Sequence, residues 1–224
     1  MAAEVLVDLG YEWLAVDAEH AQWDIGSMTN AFRAIEARGG VPMTRVESHD
    51  PTVLARTLDA GAMGVIVPHV STVEQAKAIA DACRYPPRGQ RSSGSGRATI
   101  NAQDGDRINE QVLVCPQIED MEGVNNIEAI MAVDGIDVAF IGPNDLALSM
   151  GLSKTDAFVN TQHVAAIDAI LAGAKANGKP AGTPISDVAK ARELVEQGFT
   201  LIDFGNDLRL LSSAGAAALE GMKA

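Results

Sequence analysis

The sequence predicts an α/β fold whose parallel strands curl into a barrel, and three observations carry that expectation. Short segments rich in Val, Ile, Leu and Phe alternate with stretches rich in Ala, Glu, Lys and Arg, the pattern of strands joined by crossover helices. Residues with useful chemistry gather where the apolar segments end, as they do at the mouth of a barrel. No glycine-rich turn follows the first strand, so the nucleotide signature of an open, doubly wound sheet is missing.

In chain order the strand segments are WLAVD (13–17), VPMTRV (41–46), GVIVPHV (64–70), VLVCPQIE (112–119), VAFIG (138–142), KPAGTPI (179–185) and TLIDFG (200–205). Between them helices fit residues 28–40, 50–62, 72–84, 123–133, 164–179 and 187–199, several of which close on glycine, a common helix stop. Residues 85–111 break the rhythm. Their Pro-Pro, Gly and Ser content reads as a long loop rather than an interdomain linker, because the alternation resumes at once. Arg88, Arg91 and Arg97 on it are either surface residues or groups able to reach an anionic substrate. The expectation is a single domain over 1–224.

A net charge of −13 repels nucleic acid and anionic membranes at long range, which excludes a polyanionic partner. With no apolar segment long enough to span a bilayer and no signal-like start, the expected location is the cytoplasm. Cys83 and Cys115 have no metal-like spacing and sit in apolar segments, so they read as reduced core thiols.

The strand ends carry Asp17, Glu19 and His20 in DAEH, then Arg45, His69, Gln117 with Glu119, and Asn144 with Asp145. Glu119 and Asp145 are 26 positions apart at the ends of successive strands, the spacing of barrel neighbours. Two such carboxylates can hold one hard divalent ion and leave positions for water and substrate, although spacing alone also fits two solvated loop acids. Gln117 shares a strand face with Glu119, and either donates to a substrate oxygen or orients the carboxylate.

Taken together, DAEHAQWD, TRV, LDAGAMGVIVPHV, CRYPPRGQR, PQIED and IGPNDLALSMG resemble, in order, the motifs of the HpcH/HpaI aldolases, pyruvate aldolases of the phosphoenolpyruvate/pyruvate barrel superfamily. The resemblance implies a TIM-type (β/α)8 barrel and a class II aldolase that cleaves a 4-hydroxy-2-oxo acid to pyruvate and an aldehyde, or adds them. It implies that Glu119 and Asp145 ligate a divalent cation (magnesium, manganese or cobalt) and that Arg45 binds pyruvate and opposes the charge of its enolate. His20 becomes the acid/base group, supported by Asp17, with Asp59 as its dyad partner across a subunit interface. Glu19 is left to packing or charge pairing. Gly142 and Pro143 make a tight turn that brings the N–H groups of Asn144 and Asp145 to the pyruvate carboxylate.

The sequence departs from the family in two places. Seven strands are found where eight and about 250 residues are usual, and the shortfall falls before Leu14, where the first strand is missing. A misassigned start, a shortened chain or an open barrel braced by neighbouring subunits would each account for it. Relatives also commonly have RGVG where this chain has RSSGSG, which bears on aldehyde specificity. The resemblance also implies oligomers that exchange their final helix between subunits, and residues 208–224 have the apolar, small-residue character such a helix needs, so a homo-oligomer, trimer or hexamer, is expected. The competing functions are a CoA-thioester lyase resembling the citrate lyase β family and an inactive barrel serving only as an oligomeric partner.

Overall fold

The computed structural model describes residues 1–94, 96–97 and 105–223, with the backbone alone for 105–107. Seven strands form one wholly parallel sheet in chain order: β1 (Trp13–Asp17), β2 (Val41–Arg45), β3 (Gly64–Val67), β4 (Leu113–Ile118), β5 (Ala139–Ile141), β6 (Ala181–Ile185) and β7 (Leu201–Phe204). The sheet curls into a nearly closed barrel, and no pairing joins β7 to β1 among the described residues. Among the described residues the seven-strand, TIM-type α/β architecture expected from sequence is therefore present.

Eleven α-helices surround it among the described residues: α1 (Ala2–Asp8), α2 (Ile25–Ala37), α3 (Pro51–Ala60), α4 (Val73–Cys83), α5 (Gly105–Gln111), α6 (Met121–Asn125), α7 (Ile127–Met131), α8 (Pro143–Ser149), α9 (Thr161–Ala176), α10 (Val188–Gln197) and α11 (Asp207–Gly221). Their N-termini are held by side chains that take otherwise orphaned N–H groups: Asp24 accepts from Ser27 (2.8 Å), Asp50 from Thr52 (2.7 Å), Thr72 from Gln75 (3.2 Å) and Asp187 from Lys190 (2.8 Å). Gly61 (φ 116°) and Gly198 (φ 109°) end α3 and α10 in the left-handed conformation that glycine adopts without penalty.

Side chains alternate along the strands. Val65, Val67, Val114, Ile118 and Ile141 point outward and pack with Phe32, Leu54, Ile79 and Ile170 of the helices. Met43, Ile66, Cys115, Val138 and Phe140 point inward, where Trp13, Ala15, Leu113 and Leu201 join them to plug the barrel. Both cysteines are buried and unpaired, and burial pushes the Cys83 thiol up to about 12.

Three local expectations are corrected. The helix expected over 123–133 is two, α6 and α7, meeting at Asn126, whose amide leaves the helix surface to donate to Ser71 O (2.8 Å). The loop expected over 85–111 ends in α5, and residues 95 and 98–104 of it lie outside the described residues. GPNDL is more than a turn, because Pro143 opens α8. No helix among the described residues is long and apolar enough to cross a membrane.

Candidate active site

In each strand–helix unit the helix runs back against its strand, so strand C-termini and helix N-termini share one mouth. Glu119 leaves β4 there and is buried. Its Oε1 accepts from the His69 N–H (2.6 Å) and lies 2.9 Å from His69 Nδ1, while Gln117 Nε2 donates to Oε2 (2.5 Å). The start of α8 closes on this carboxylate. A Cβ at Gly142 would overlap Glu119 Oε2 and come within 2.8 Å of Glu119 Cβ, so only glycine permits the approach. Asp145 follows in the first turn of α8, half-buried. Burial pushes the Glu119 carboxyl above its ordinary pKa; the bonds from Gln117 and His69 pull it back, and the Asp145 charge pushes it up again.

On the opposite wall Asp17 and Arg45 are register partners at the ends of β1 and β2. Arg45 Nε donates to Asp17 Oδ1 (2.9 Å) and Nη2 to Oδ2 (2.6 Å), a bidentate pair. Burial pushes Asp17 up, but Arg45 more than offsets it and holds this carboxyl below its usual range. The Arg45 guanidinium also feels Glu19 and Glu119, which keep it charged against the cost of burial. Glu19 joins the two walls: its carboxylate is 3.2 Å from Arg45 Nε, 3.6 Å from His69 Nε2 and 3.8 Å from His20 Nε2. His69 has φ 56°, a left-handed backbone unusual for a residue with a Cβ, and its contacts with Glu119 and Glu19 hold it there.

These residues suit a divalent cation. Burial makes the Glu119 carboxyl reluctant to ionise and the Asp145 charge beside it adds to that, so a shared positive charge would favour the pair, and two carboxylates is the number with which magnesium-type sites commonly work. Among the described residues no cluster of three or more His, Cys, Asp or Glu is arranged for a metal, so a cation held by this pair would keep positions open.

The sequence profile of the HpcH/HpaI aldolase/citrate lyase family matches residues 1–214. The chain belongs to that family. It is 35% identical over 227 residues to the 5-keto-4-deoxy-D-glucarate aldolase of Citrobacter koseri, covering 100% of this chain and 88% of that one. The structure superimposes with TM-score 0.92 on an HpcH/HpaI aldolase/citrate lyase family protein from Burkholderia cenocepacia J2315, at 34% identity, covering 100% of this chain and 90% of that one. It superimposes with TM-score 0.88 on the citrate synthase SbnG, at 28% identity, covering 99% of this chain and 87% of that one. As an aldolase of this family the chain is a carbon–carbon lyase.

Within this HpcH/HpaI barrel Glu119, Gln117, Gly142, Pro143, Asn144, Asp145, Arg45, Asp17 and His20 all come to the mouth. The expected support of His20 by Asp17 takes another form: Asp17 Oδ1 accepts the backbone N–H of His20 (3.3 Å), and its carboxylate is spent on Arg45. The ring of His20, 65% exposed, lies near Glu19 instead. Asp59 sits near the C-terminus of α3, hence at the far end of the barrel, and accepts from the buried Arg91 (2.7 Å). Among the described residues no hydrogen bond or ion pair joins it to His20. Arg88 pairs with Asp134 (3.4 Å) and Arg97 with Glu36, so among the described residues these loop arginines meet acids on the chain's own surface rather than the mouth.

Sequence reasoning left Glu19 to packing or charge pairing and passed over Asp203. Glu19 does pair by charge with Arg45, from the turn that residues 18–20 form where β1 stops at Asp17. Asp203 lies inside the apolar segment of β7, and burial pushes its carboxyl up to about 6, with Arg45 pulling it down and Asp17 pushing it up. A carboxylate inside a four-residue apolar strand was the signal available.

Proposed function

We propose that this aldolase cleaves a 4-hydroxy-2-oxo acid to pyruvate and an aldehyde, or runs the addition, with a divalent cation (magnesium, manganese or cobalt) held by Glu119 and Asp145. The observation that carries the reading is the buried Glu119 carboxylate pressed against Gly142 with Asp145 beside it, facing a guanidinium. When bound, the cation supplies positive charge where the enolate oxygen of pyruvate develops its negative charge. Arg45, fixed by Asp17, orients the 2-oxo acid and opposes the same charge. Gln117 orients Glu119, its amide being committed to that carboxylate. The first-turn N–H groups of Asn144 and Asp145 face the pyruvate carboxylate.

In cleavage, the C4 hydroxyl gives up its proton, the C3–C4 bond breaks, and its electron pair passes into the C2 carbonyl to make the enolate. Protonation at C3 completes pyruvate. His20 exchanges these protons with solvent, and Glu19 at 3.8 Å stabilises the imidazolium. Asp59 serves this step only where a neighbouring subunit presents it. The enzyme works as a homo-oligomer in the cytoplasm.

The test is pyruvate release from a 4-hydroxy-2-oxo acid, abolished by chelator and restored by manganese or magnesium. Turnover that survives chelation, with a Schiff base trapped by borohydride, overturns the proposal. Malyl- and citramalyl-type thioesters belong in the same assay, since turnover of these alone would place the chain with the lyases of its family.

A further inference from the structure

We propose that Asp203 selects the aldehyde: it accepts a hydrogen bond from a hydroxyl beside the reacting carbonyl and turns away aldehydes that carry a carboxylate. The proposal rests on the aldolase reading and names the substrate class of that same site.

Orientation comes first. Along β7 Leu201 packs with the inward cluster of the barrel and Ile202 with the outward one, so Asp203 returns to the interior and Phe204 leaves it. Asp203 thus stands one inward position above the apolar plug, at the level of the mouth where Asp17 and Arg45 also end their strands. The electrostatic influence of both residues on its carboxyl agrees with that placement.

Its surroundings supply no donor. The register partner on β6 is Pro184, which has neither an N–H nor a polar side chain. On its other side β7 has no paired strand among the described residues. Arg45 gives Nε and Nη2 to Asp17, with Glu19 3.2 Å from the same Nε, so its nearest charge is already shared. Among the described residues no hydrogen bond or ion pair engages the Asp203 carboxylate. A half-buried acceptor facing a reaction chamber without a protein donor is satisfied by water or by a substrate donor.

Charge decides which donor. Asp17, Glu19, Glu119, Asp145 and Asp203 share the mouth with Arg45 as the one fixed cation among the described residues there. A divalent ion would leave this mouth negative, and the developing enolate of pyruvate already claims Arg45. A second carboxylate on the aldehyde would meet Asp203 with repulsion and no donor, whereas a hydroxyl meets it with a hydrogen bond; Arg45 is not free to answer that second carboxylate, being held by Asp17 and set against the enolate charge.

The full chain is assayed with manganese and pyruvate against glycolaldehyde, propionaldehyde, which replaces the hydroxyl by a methyl, and glyoxylate. Wild type is expected to favour glycolaldehyde in kcat/KM over each of the others by about tenfold or more. Asp203→Asn, isosteric and neutral, should raise glyoxylate relative to glycolaldehyde by about tenfold. Asp203→Ala should remove the preference for glycolaldehyde over propionaldehyde. Ratios within about twofold of wild type in both variants overturn the assignment, as does a wild-type preference for glyoxylate or for propionaldehyde. A raised pyruvate KM with aldehyde ratios intact also overturns it, placing Asp203 with Arg45 instead. A wild type that turns over none of the three overturns the aldolase reading and this proposal with it, a failure visible before any variant is made.

Discussion

Glu119 occupies a position that is costly for a lone carboxylate: buried, bonded on both oxygens, and within reach of the Asp145 charge. If a cation offsets that cost, Glu119→Gln and Asp145→Asn should each lower manganese affinity by roughly 100-fold or more, exceeding the 10- to 100-fold typical of residues behind a ligand. Calorimetric titration that finds both variants binding as wild type does would remove the pair from the metal site. Both acids were visible in the sequence because each follows an apolar strand, and so were Arg45 and Gln117. For Glu19 charge pairing was legible but its partners were not, since only the turn after Asp17 brings it to Arg45 and both histidines. Asp203 carries a pH signature of its own. Its folded pKa of about 6 lies above the ordinary 3.8, so as pH rises the unfolded chain releases this proton first. The protein then binds more protons folded than unfolded, and this group's contribution to stability is complete below about pH 4 and lost as pH passes about 6. Asp203→Asn should therefore melt close to wild type at pH 4 and above it at pH 7.5, the gap opening between those values in metal-free protein. A gap independent of pH would show that Asp203 is not buried as an acid.

Between elements, α8 depends on a tether that no periodicity reveals. His163, fully buried in α9, donates from Nε2 to Pro143 O (2.8 Å) at the start of α8 and accepts the Phe158 N–H at Nδ1 (3.2 Å). The ring is therefore neutral in this arrangement, with its proton on Nε2. Phe158, held at φ 62°, stacks edge-on against it with centroids 5.9 Å apart. In sequence His163 is one polar residue in a helix, and its two backbone partners come from the first residue of α8 and from the loop before α9, which is why the strand and helix pattern was legible and this joint was not. The same limit hid the break at Asn126, whose cause is a single amide bonding Ser71 rather than any change of pattern. His163→Ala removes the second donor to Pro143 O and leaves the part-buried Phe158 N–H without its acceptor, a cost of about 1–3 kcal/mol. Because Asp145 is two residues from Pro143, the variant should melt lower and also bind manganese roughly 10- to 100-fold more weakly. A lower melting temperature with unchanged manganese affinity would limit the tether to stability.

At the scale of the molecule, the barrel and its order of strands follow from the alternation of segments, but what completes it lies outside one chain's pattern. β1 and β7 each have a single paired neighbour among the described residues, and open edges favour association. The stronger argument is α11. It has 15 residues and buries none of them, with Leu208 at 74%, Leu211 at 72% and Leu219 at 63% exposure. An isolated helix of about 12–15 residues is marginal in water, and among the described residues its own chain gives this one a bond from Arg209 Nη1 to Ser186 Oγ (2.7 Å) but no burial. A second copy of the chain, as proposed above, would offer α11 a barrel to cover, and the same arrangement would let Asp59, far from its own His20, reach a neighbouring mouth. Light scattering is expected to show a homo-oligomer, trimer or hexamer. Deleting residues 208–224, of which Ala224 lies outside the described residues, should dissociate it and lower activity while leaving Glu119 and Asp145 in place to bind manganese. A full-length chain that is monomeric and fully active would refute the assembly and, with it, any part for Asp59 in the reaction.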